Sequence, residues 1–172
     1  MDLISPIEDS IIKRLKEKTC GKVLVEPYPE NPATYEPTHA VGALLVRYSD
    51  ADYSDTRDTN IVLQDRDMQF EITLAMWSLR GKQGGIYAWL EAVRIGLTGF
   101  RPPNCTIKMT PVSEGFVSSV NLKNKTRRLW QYQITFRTQT MNIEMTEEEQ
   151  GPVFTQITTI NATSQHTLEI PE

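Results

Sequence analysis

Apolar and polar residues alternate most regularly over residues 66–79, RDMQFEITLAMWSL. Every second position in the centre of this stretch is apolar: Met68, Phe70, Ile72, Leu74 and Met76. A period of two places these side chains on one face of a strand. The pattern therefore predicts a long strand that buries this face against a helix.

A second alternating stretch, LWQYQITFRTQT, spans residues 129–140. The positions predicted to face solvent are Gln131, Gln133, Thr135 and Arg137. The positions predicted to face inward are Trp130, Tyr132, Ile134 and Phe136. Residues 105–112 predict a short strand, and the polar sequence NLKNKTRR at residues 121–128 predicts the hairpin tip between the two strands.

Shorter apolar segments nearer the N-terminus predict two more strands. One begins at residue 22 and becomes an extended loop, because four prolines between residues 27 and 37 lack the N–H donor that a strand needs. The other, residues 41–46, is apolar on both faces and is typical of a central strand covered on both sides. The polar residues 49–60 predict a turn or an exposed loop.

Two stretches follow the helical period of 3.6 residues. Near the N-terminus, Ser5 and Glu8 have the spacing of a capping box, and Gly21 is predicted to end the helix in a left-handed conformation. A second helix is predicted over about residues 83–97. Its buried stripe consists of Ile86, Leu90, Val93 and Leu97, with Trp89 beside it.

This order of elements predicts an α+β fold, in which a mainly antiparallel or mixed sheet carries two helices on one face. The 172 residues are predicted to form a single domain over residues 1–142 and an acidic C-terminal extension over residues 143–172. No apolar run approaches the ~20 residues that cross a bilayer, and the N-terminus lacks the features of a signal peptide. We therefore expect a protein that is made and used inside a cell.

Charge is distributed unevenly along the chain. Residues 141–172 contain six acids and no base, so residues 1–140 hold 18 bases against 16 acids. Four bases fall within the predicted hairpin tip: Lys123, Lys125, Arg127 and Arg128. Such a cluster is costly unless solvent or an acidic partner receives it. The sequence leaves two interpretations open, a solvated loop and a contact with an acidic surface of a neighbouring subunit.

Few residues of the chain are suited to catalysis or metal binding. His39 and His166 lie far apart in sequence, and the two cysteines lack the spacing of a zinc site. Cys20 and Cys105 are expected to be reduced and half-buried, with a disulfide between them as the alternative. The calcium-loop, Walker and nucleophile-elbow patterns are incomplete. We therefore predict that the protein is not an enzyme and has no catalytic, cofactor-binding or metal site.

Three consecutive segments together resemble a known family. They are the strand, turn and helix MQFEITLAMWSLRGKQGGIYAWLEAVRIGLTGF, a short strand with EGFV, and RRLWQYQITFRTQT. This succession resembles the tail terminator family of Mu-like bacteriophages and related contractile tail or injection devices. The resemblance covers about residues 5–142 and rests on the order and spacing of elements rather than on an invariant motif. The loop over residues 27–37 is longer than the family pattern, and the residues after 141 are an addition to it.

The resemblance implies a structural role in a virion or tail-like particle assembled in the bacterial host cytoplasm. A terminator forms a six-membered ring on the end of the tail tube, halts tube polymerisation and presents a surface to head-completion proteins. The implied partners are further copies of the chain in a hexameric ring, the tail tube protein, the sheath protein and a head-completion or cap protein. The resemblance implies no binding to a membrane, to a specific nucleic acid or to a cofactor. The alternatives are a neck or tube protein of similar fold and an enzyme of unrecognised class.

Candidate interface residues lie in the two predicted basic loops and in the C-terminal extension. They are Arg80, Lys82, Lys123, Lys125, Arg127, Arg128, Val153, Phe154 and Ile157. Residues 152–160 are rich in β-branched side chains and are predicted to be extended against a neighbouring subunit or partner. A disordered, solubilising tail is the alternative for this segment.

Overall fold

A five-stranded mixed sheet and two helices make up most of the chain in the computed structural model. The structure describes residues 2–57, 60–81, 84–121 and 127–145 and the backbone of residues 157–161 and 164–168. The elements in chain order are α1 (Ile4–Thr19), β1 (Leu24–Pro27), a 3-10 helix (Pro32–Thr34), β2 (Gly42–Tyr53), β3 (Leu63–Met76), α2 (Ile86–Leu97), β4 (Ile107–Asn121), β5 (Arg128–Ile143), β6 (Ile157–Asn161) and β7 (Ser164–Leu168).

The main sheet has the strand order β1-β2-β3-β5-β4, in which β1 and β2 are parallel and the other neighbours antiparallel. Strands β6 and β7 pair separately as an antiparallel hairpin. These elements confirm the predicted α+β fold. Neither described helix is long and apolar enough to cross a membrane.

The main core lies between the helices and one face of the sheet. The alternating row predicted on β3 is buried in full, and each of its members is at most 1% exposed: Met68, Phe70, Ile72, Leu74 and Met76. The helices contribute Ile7, Ile11, Leu15, Ile86, Leu90, Val93 and Leu97 to the same cluster. Burial of such a side chain stabilises the fold by roughly 1.5–3 kcal/mol. The predictions for β3 and for the stripe of α2 are therefore confirmed.

The proline-rich loop between β1 and β2 packs on the opposite face of the sheet. Tyr28 and Tyr35 contact a small apolar cluster there that includes Leu45 and Leu129. The hydroxyl of Tyr35 hydrogen-bonds to the carboxylate of Glu26, and burial together with this carboxylate raises the pKa of Tyr35. This loop thereby covers part of the second face, so that residues 42–46 of β2 are buried on both sides, as predicted, whereas most of the strand after Val46 is exposed.

The capping box predicted for α1 is wrong. Asp2, rather than Ser5, accepts hydrogen bonds from the first backbone N–H groups of the helix, those of Ile4 (2.9 Å) and Ser5 (3.1 Å). Glu8 instead accepts from the backbone N–H of Tyr48 at 3.3 Å. The helix begins earlier than predicted because an aspartate two residues before its start satisfies the same unpaired donors. At its C-terminus, Cys20 and the predicted Gly21 both have positive φ.

Two strands are longer than the sequence predicts. Strand β2 continues to Tyr53, so that the first five residues of the polar segment 49–60 are strand and not loop. Strand β4 has 15 residues instead of the short strand predicted at 105–112, and it lies at the edge of the sheet. Its pairing with β5 shifts register at three places, after Ile107, after Pro111 and after Phe116. The hairpin that joins β4 to β5 is as predicted, although residues 122–126 lie outside the described residues.

Two further predictions hold in part. The cysteines are free thiols, but neither is half-buried, because Cys20 is exposed and Cys105 is buried. In β5, Ile134 and Phe136 are fully buried, whereas Trp130 and Tyr132 are only half-buried. In the C-terminal extension, residues 157–161 have the predicted extended backbone, paired with 164–168, and residues 152–156 lie outside the described residues.

Candidate functional site: the two ends of the sheet

One end of the sheet, where β4 finishes and β5 begins, carries a cluster of aromatic side chains. The antiparallel register places Phe116 opposite Tyr132 and brings Trp130 to the neighbouring position. The first turn of α2 adds Tyr87 from above. Phe116 is 55% exposed and Tyr87 is 40% exposed. Large aromatic side chains in this state are characteristic of protein interfaces.

The four rings contact one another in edge-to-face or tilted geometry. The ring of Tyr132 lies 5.8 Å from that of Tyr87 and 5.5 Å from that of Phe116, and Phe116 lies 6.5 Å from Trp130. The hydroxyls of Tyr87 and Tyr132 are 3.4 Å apart. This hydrogen bond raises the pKa of Tyr132. The cluster is therefore preorganised by its own contacts.

Exposed arginines surround these rings. The guanidinium carbon of Arg80 lies 5.5 Å from the ring centre of Tyr87, and that of Arg128 lies 5.5 Å from that of Trp130. Arg128 also donates to the side chain of Asn121 at 3.2 Å. Within the described residues, neither arginine has an acidic partner. We call this group the arginine–aromatic surface: Arg80, Tyr87, Phe116, Arg128, Trp130 and Tyr132.

An open pocket of about 450 Å³ adjoins the arginine–aromatic surface. Arg127 lines it together with Val41, Trp77 and Gly84. Arg127 is exposed, so a third guanidinium is available at the same end of the sheet. This end can therefore bind carboxylates through several guanidinium groups and apolar surface through the rings.

The opposite end of the sheet has the complementary character. Here β2 ends, β3 begins and β5 ends, because Tyr53 pairs with Arg66 and Leu63 pairs with Ile143. Ile143 and Tyr53 are each 53% exposed. We call the exposed group at this end, together with Asp50, which pairs with Gln69 nearer the middle of the sheet, the acidic–aliphatic surface: Asp50, Asp52, Tyr53, Asp55, Ile61, Val62 and Ile143.

The arginines at this second end are engaged within the subunit. Arg57 forms an ion pair with Asp65. Arg66 stacks between Tyr48 and Tyr53, with its guanidinium carbon 5.8 Å from each ring, and donates to the hydroxyl of Tyr48 at 3.3 Å. By contrast, the carboxylates of Asp50, Asp52 and Asp55 have no ion-pair partner in the described part of the chain. This end therefore presents uncompensated negative charge beside exposed apolar side chains.

The structure brings three of the predicted interface residues together. Arg80 and Arg128 lie in the arginine–aromatic surface, and Arg127 lies beside it. The remaining candidates cannot be placed by their side chains. Lys82, Lys123, Lys125, Val153 and Phe154 lie outside the described residues, and Ile157 is described by its backbone in β6.

Sequence reasoning did not identify Tyr87, Phe116 or the acidic–aliphatic surface as interface candidates. An aromatic residue at position 116 in a polar stretch was a usable signal, because burial was not expected there. The carboxylates of residues 50–55 fall in the segment predicted as a turn or an exposed loop and form only an incomplete calcium-loop pattern. Among the residues that the structure describes, no group of three or more potential ligands is arranged to hold a metal ion.

Comparisons with known proteins give one family. The Gp37 protein family matches residues 11–161, a range that runs from α1 through β6. No curated protein matches the sequence. Several solved structures are similar, among them a chain in the virion of a native gene transfer agent particle. That chain is 13% identical, with 80% of this chain and 96% of that chain covered and a TM-score of 0.44, which is too weak to indicate function or assembly.

Proposed function

Because this chain belongs to the Gp37 protein family, which is phage-related, we propose that it is a structural tail terminator. In this role, copies of the chain form a ring, a hexamer by the resemblance noted above, on the end of a phage tail or tail-like tube. The ring halts tube polymerisation and presents a docking surface to head-completion proteins. The role is non-enzymatic and needs no cofactor, and its partners are the tube protein, the sheath protein and a head-completion or cap protein.

The observation that carries this proposal is the presence of two exposed surfaces of opposite character at the two ends of one sheet. A monomeric protein rarely exposes contiguous apolar surface of this kind without a partner. Tyrosine, tryptophan and arginine, which make up most of the arginine–aromatic surface, are the residue types that contribute most to binding at interfaces. The membership of a phage-related family supports a partner within a phage or phage-like particle.

The location of the chain in its particle tests the proposal. We would tag the chain in the phage or phage-like element that encodes it and image the particles by electron microscopy with a tag-specific label. A terminator is expected as one ring at the end of the tube. Labelling that repeats along the tube would contradict the proposal and support a tube protein.

Tail length gives an independent measurement. Deletion of the gene for this chain is expected to produce tubes of uncontrolled length without attached heads, because nothing stops subunit addition. Supplying the intact gene from a plasmid serves as the control and should restore the normal length. Tubes of normal length in the deletion strain would contradict the terminator role.

A further inference from the structure

We propose that the acidic–aliphatic surface of one copy binds the arginine–aromatic surface of the next copy, so that the copies associate head to tail. This inference rests on the proposed function, since a ring needs a contact between copies, and it names that contact. The occupant of each surface is thus the opposite end of the same chain.

The charges of the two surfaces are complementary. Asp50, Asp52 and Asp55 are exposed at one end, and Arg80 and Arg128 are exposed at the other. None of these has an ion-pair partner within the described part of its own subunit. Arginine binds carboxylates in a planar, two-pronged geometry, which favours a specific register between the two surfaces.

The apolar groups of the two surfaces also match. Phe116 and Tyr87 are exposed among the arginines, and Tyr53, Val62 and Ile143 are exposed among the aspartates. A contact that brought only the charges together would leave these side chains in water. Joining the two ends buries aromatic rings against aliphatic side chains while the charges form the rim, which is the usual arrangement of a protein interface.

The positions of the two surfaces determine the symmetry of the assembly. The arginine–aromatic surface lies at the end of β3 and most of the acidic–aliphatic surface lies at its start, although Asp50 pairs with Gln69 in the middle of the strand. The 14 residues of β3 span roughly 45 Å at ~3.3 Å per residue. Contact between different surfaces of identical subunits is heterologous, and it closes into a ring when the rotation per subunit divides a full turn. A two-fold dimer through either surface alone would instead bring like charges together, which is unfavourable.

Charge reversal at each end tests this contact with the full-length chain. One variant carries Asp50→Lys and Asp52→Lys, and the other carries Arg80→Glu and Arg128→Glu. Each variant alone places like charges against each other, so sedimentation velocity at low salt is expected to show a rise of ~10-fold or more in the concentration needed for assembly. The unaltered protein should assemble at low salt and lose this ability as added salt screens the charges.

Mixing the two variants provides the decisive measurement. The aspartate variant has predominantly basic ends and the arginine variant has predominantly acidic ends. A ring with an even number of subunits, in which the two variants alternate, therefore restores an attractive contact at every interface. A single chain that carries all four substitutions should likewise regain assembly by itself, whatever the number of subunits. Restoration in both cases supports the head-to-tail contact.

Matched controls separate this contact from a general effect of charge. Lys13→Glu with Arg101→Glu changes the net charge as the arginine variant does, at exposed positions outside both surfaces. Asp9→Lys with Glu17→Lys changes the net charge as the aspartate variant does, also at exposed positions outside both surfaces. Thermal unfolding of every variant shows whether the subunit remains folded.

Three results would overturn the inference. They are an unaltered protein that stays monomeric at low salt up to its solubility limit, reversed variants that assemble as the controls do, and folded variants that fail to assemble when mixed. The labelled particles described above distinguish this failure from failure of the proposed function. If particles made with the charge-reversal variants still carry a single ring at the tube end, the terminator role is supported. Only the proposed head-to-tail contact is then wrong.

Discussion

Replacement of Phe116 by serine is expected to weaken assembly while the subunit stays folded. Phe116 is 55% exposed, and its ring contacts Trp130 and Tyr132. From a side-chain area of ~200 Å², ~110 Å² remains for a neighbouring copy to cover, which at ~25 cal/mol per Å² gives at most ~2.8 kcal/mol, or ~100-fold in affinity. The measured effect should lie below this bound because association also immobilises side chains.

The cost of the same substitution to the fold is smaller than the total stability of a typical domain. The buried part of the ring, ~90 Å², corresponds to ~2 kcal/mol, compared with ~5–15 kcal/mol for unfolding of a typical protein. For a chain of this length the melting temperature is expected to fall by ~4–8 °C. At room temperature the variant should therefore remain folded. Any loss of assembly is then caused by the change in the arginine–aromatic surface and not by unfolding.

Sedimentation velocity over a range of concentrations, combined with thermal unfolding, measures both effects. Ile95→Ser is the control for loss of exposed apolar area, since Ile95 is 69% exposed on α2 and lies outside both surfaces. Ile134→Val is the control for lower stability, since Ile134 is fully buried in β5. If Phe116→Ser assembles as Ile95→Ser does at every concentration, the reasoning about this surface is refuted.

Three other predictions concern the core, the C-terminal extension and pH. Phe70→Asp and Leu90→Asp should unfold the subunit, because each replaces a buried apolar side chain by a carboxylate without a partner; a soluble variant with a cooperative thermal transition would contradict this. Truncation after Met145 should abolish ring formation and leave a folded monomer, if the extension is an assembly arm; full occupancy of tube ends by the shortened chain would show that it is dispensable. Burial raises the pKa of Glu8, so its stabilising contribution is present at acid pH and is lost as pH rises through the raised value. Denaturant unfolding should therefore show Glu8→Gln gaining stability over the parent between acid and neutral pH.

The sequence predicted those elements whose burial is one-sided and continuous. The row from Met68 to Met76 is buried throughout in the core cluster that it shares with residues of the helices, so the buried face is visible in the sequence as a strict alternation. The stripe of α2 was predictable for the same reason. The end of β2 was not, because its last residues are polar, exposed and held in the sheet by backbone pairing with β3.

The candidate surfaces depend on information that no local pattern contains. Phe116 and Tyr132 meet only through the register of β4 and β5, and two irregularities precede their pairing along β4. Tyr87 joins them from another element. Trp130 and Tyr132 continue the alternation of β5, which predicted that they face inward. They pack against the core but are only partly buried, and they contact the exposed ring of Phe116. Arg80, Arg127 and Arg128 were predictable because clustered exposed bases are visible in the sequence itself.

The irregular pairing of β4 also bears on how the protein behaves before it assembles. A straight edge strand of 15 residues would offer its free N–H and C=O groups to any extended segment of another chain, and such additions lead to fibres. Pro111 removes one donor from that edge, and the three register shifts bend the strand so that no long flat template remains. We therefore expect this edge to resist indiscriminate strand pairing between free subunits. The association of copies proposed above would then depend on side chains, which, unlike backbone edges, distinguish one neighbour from another.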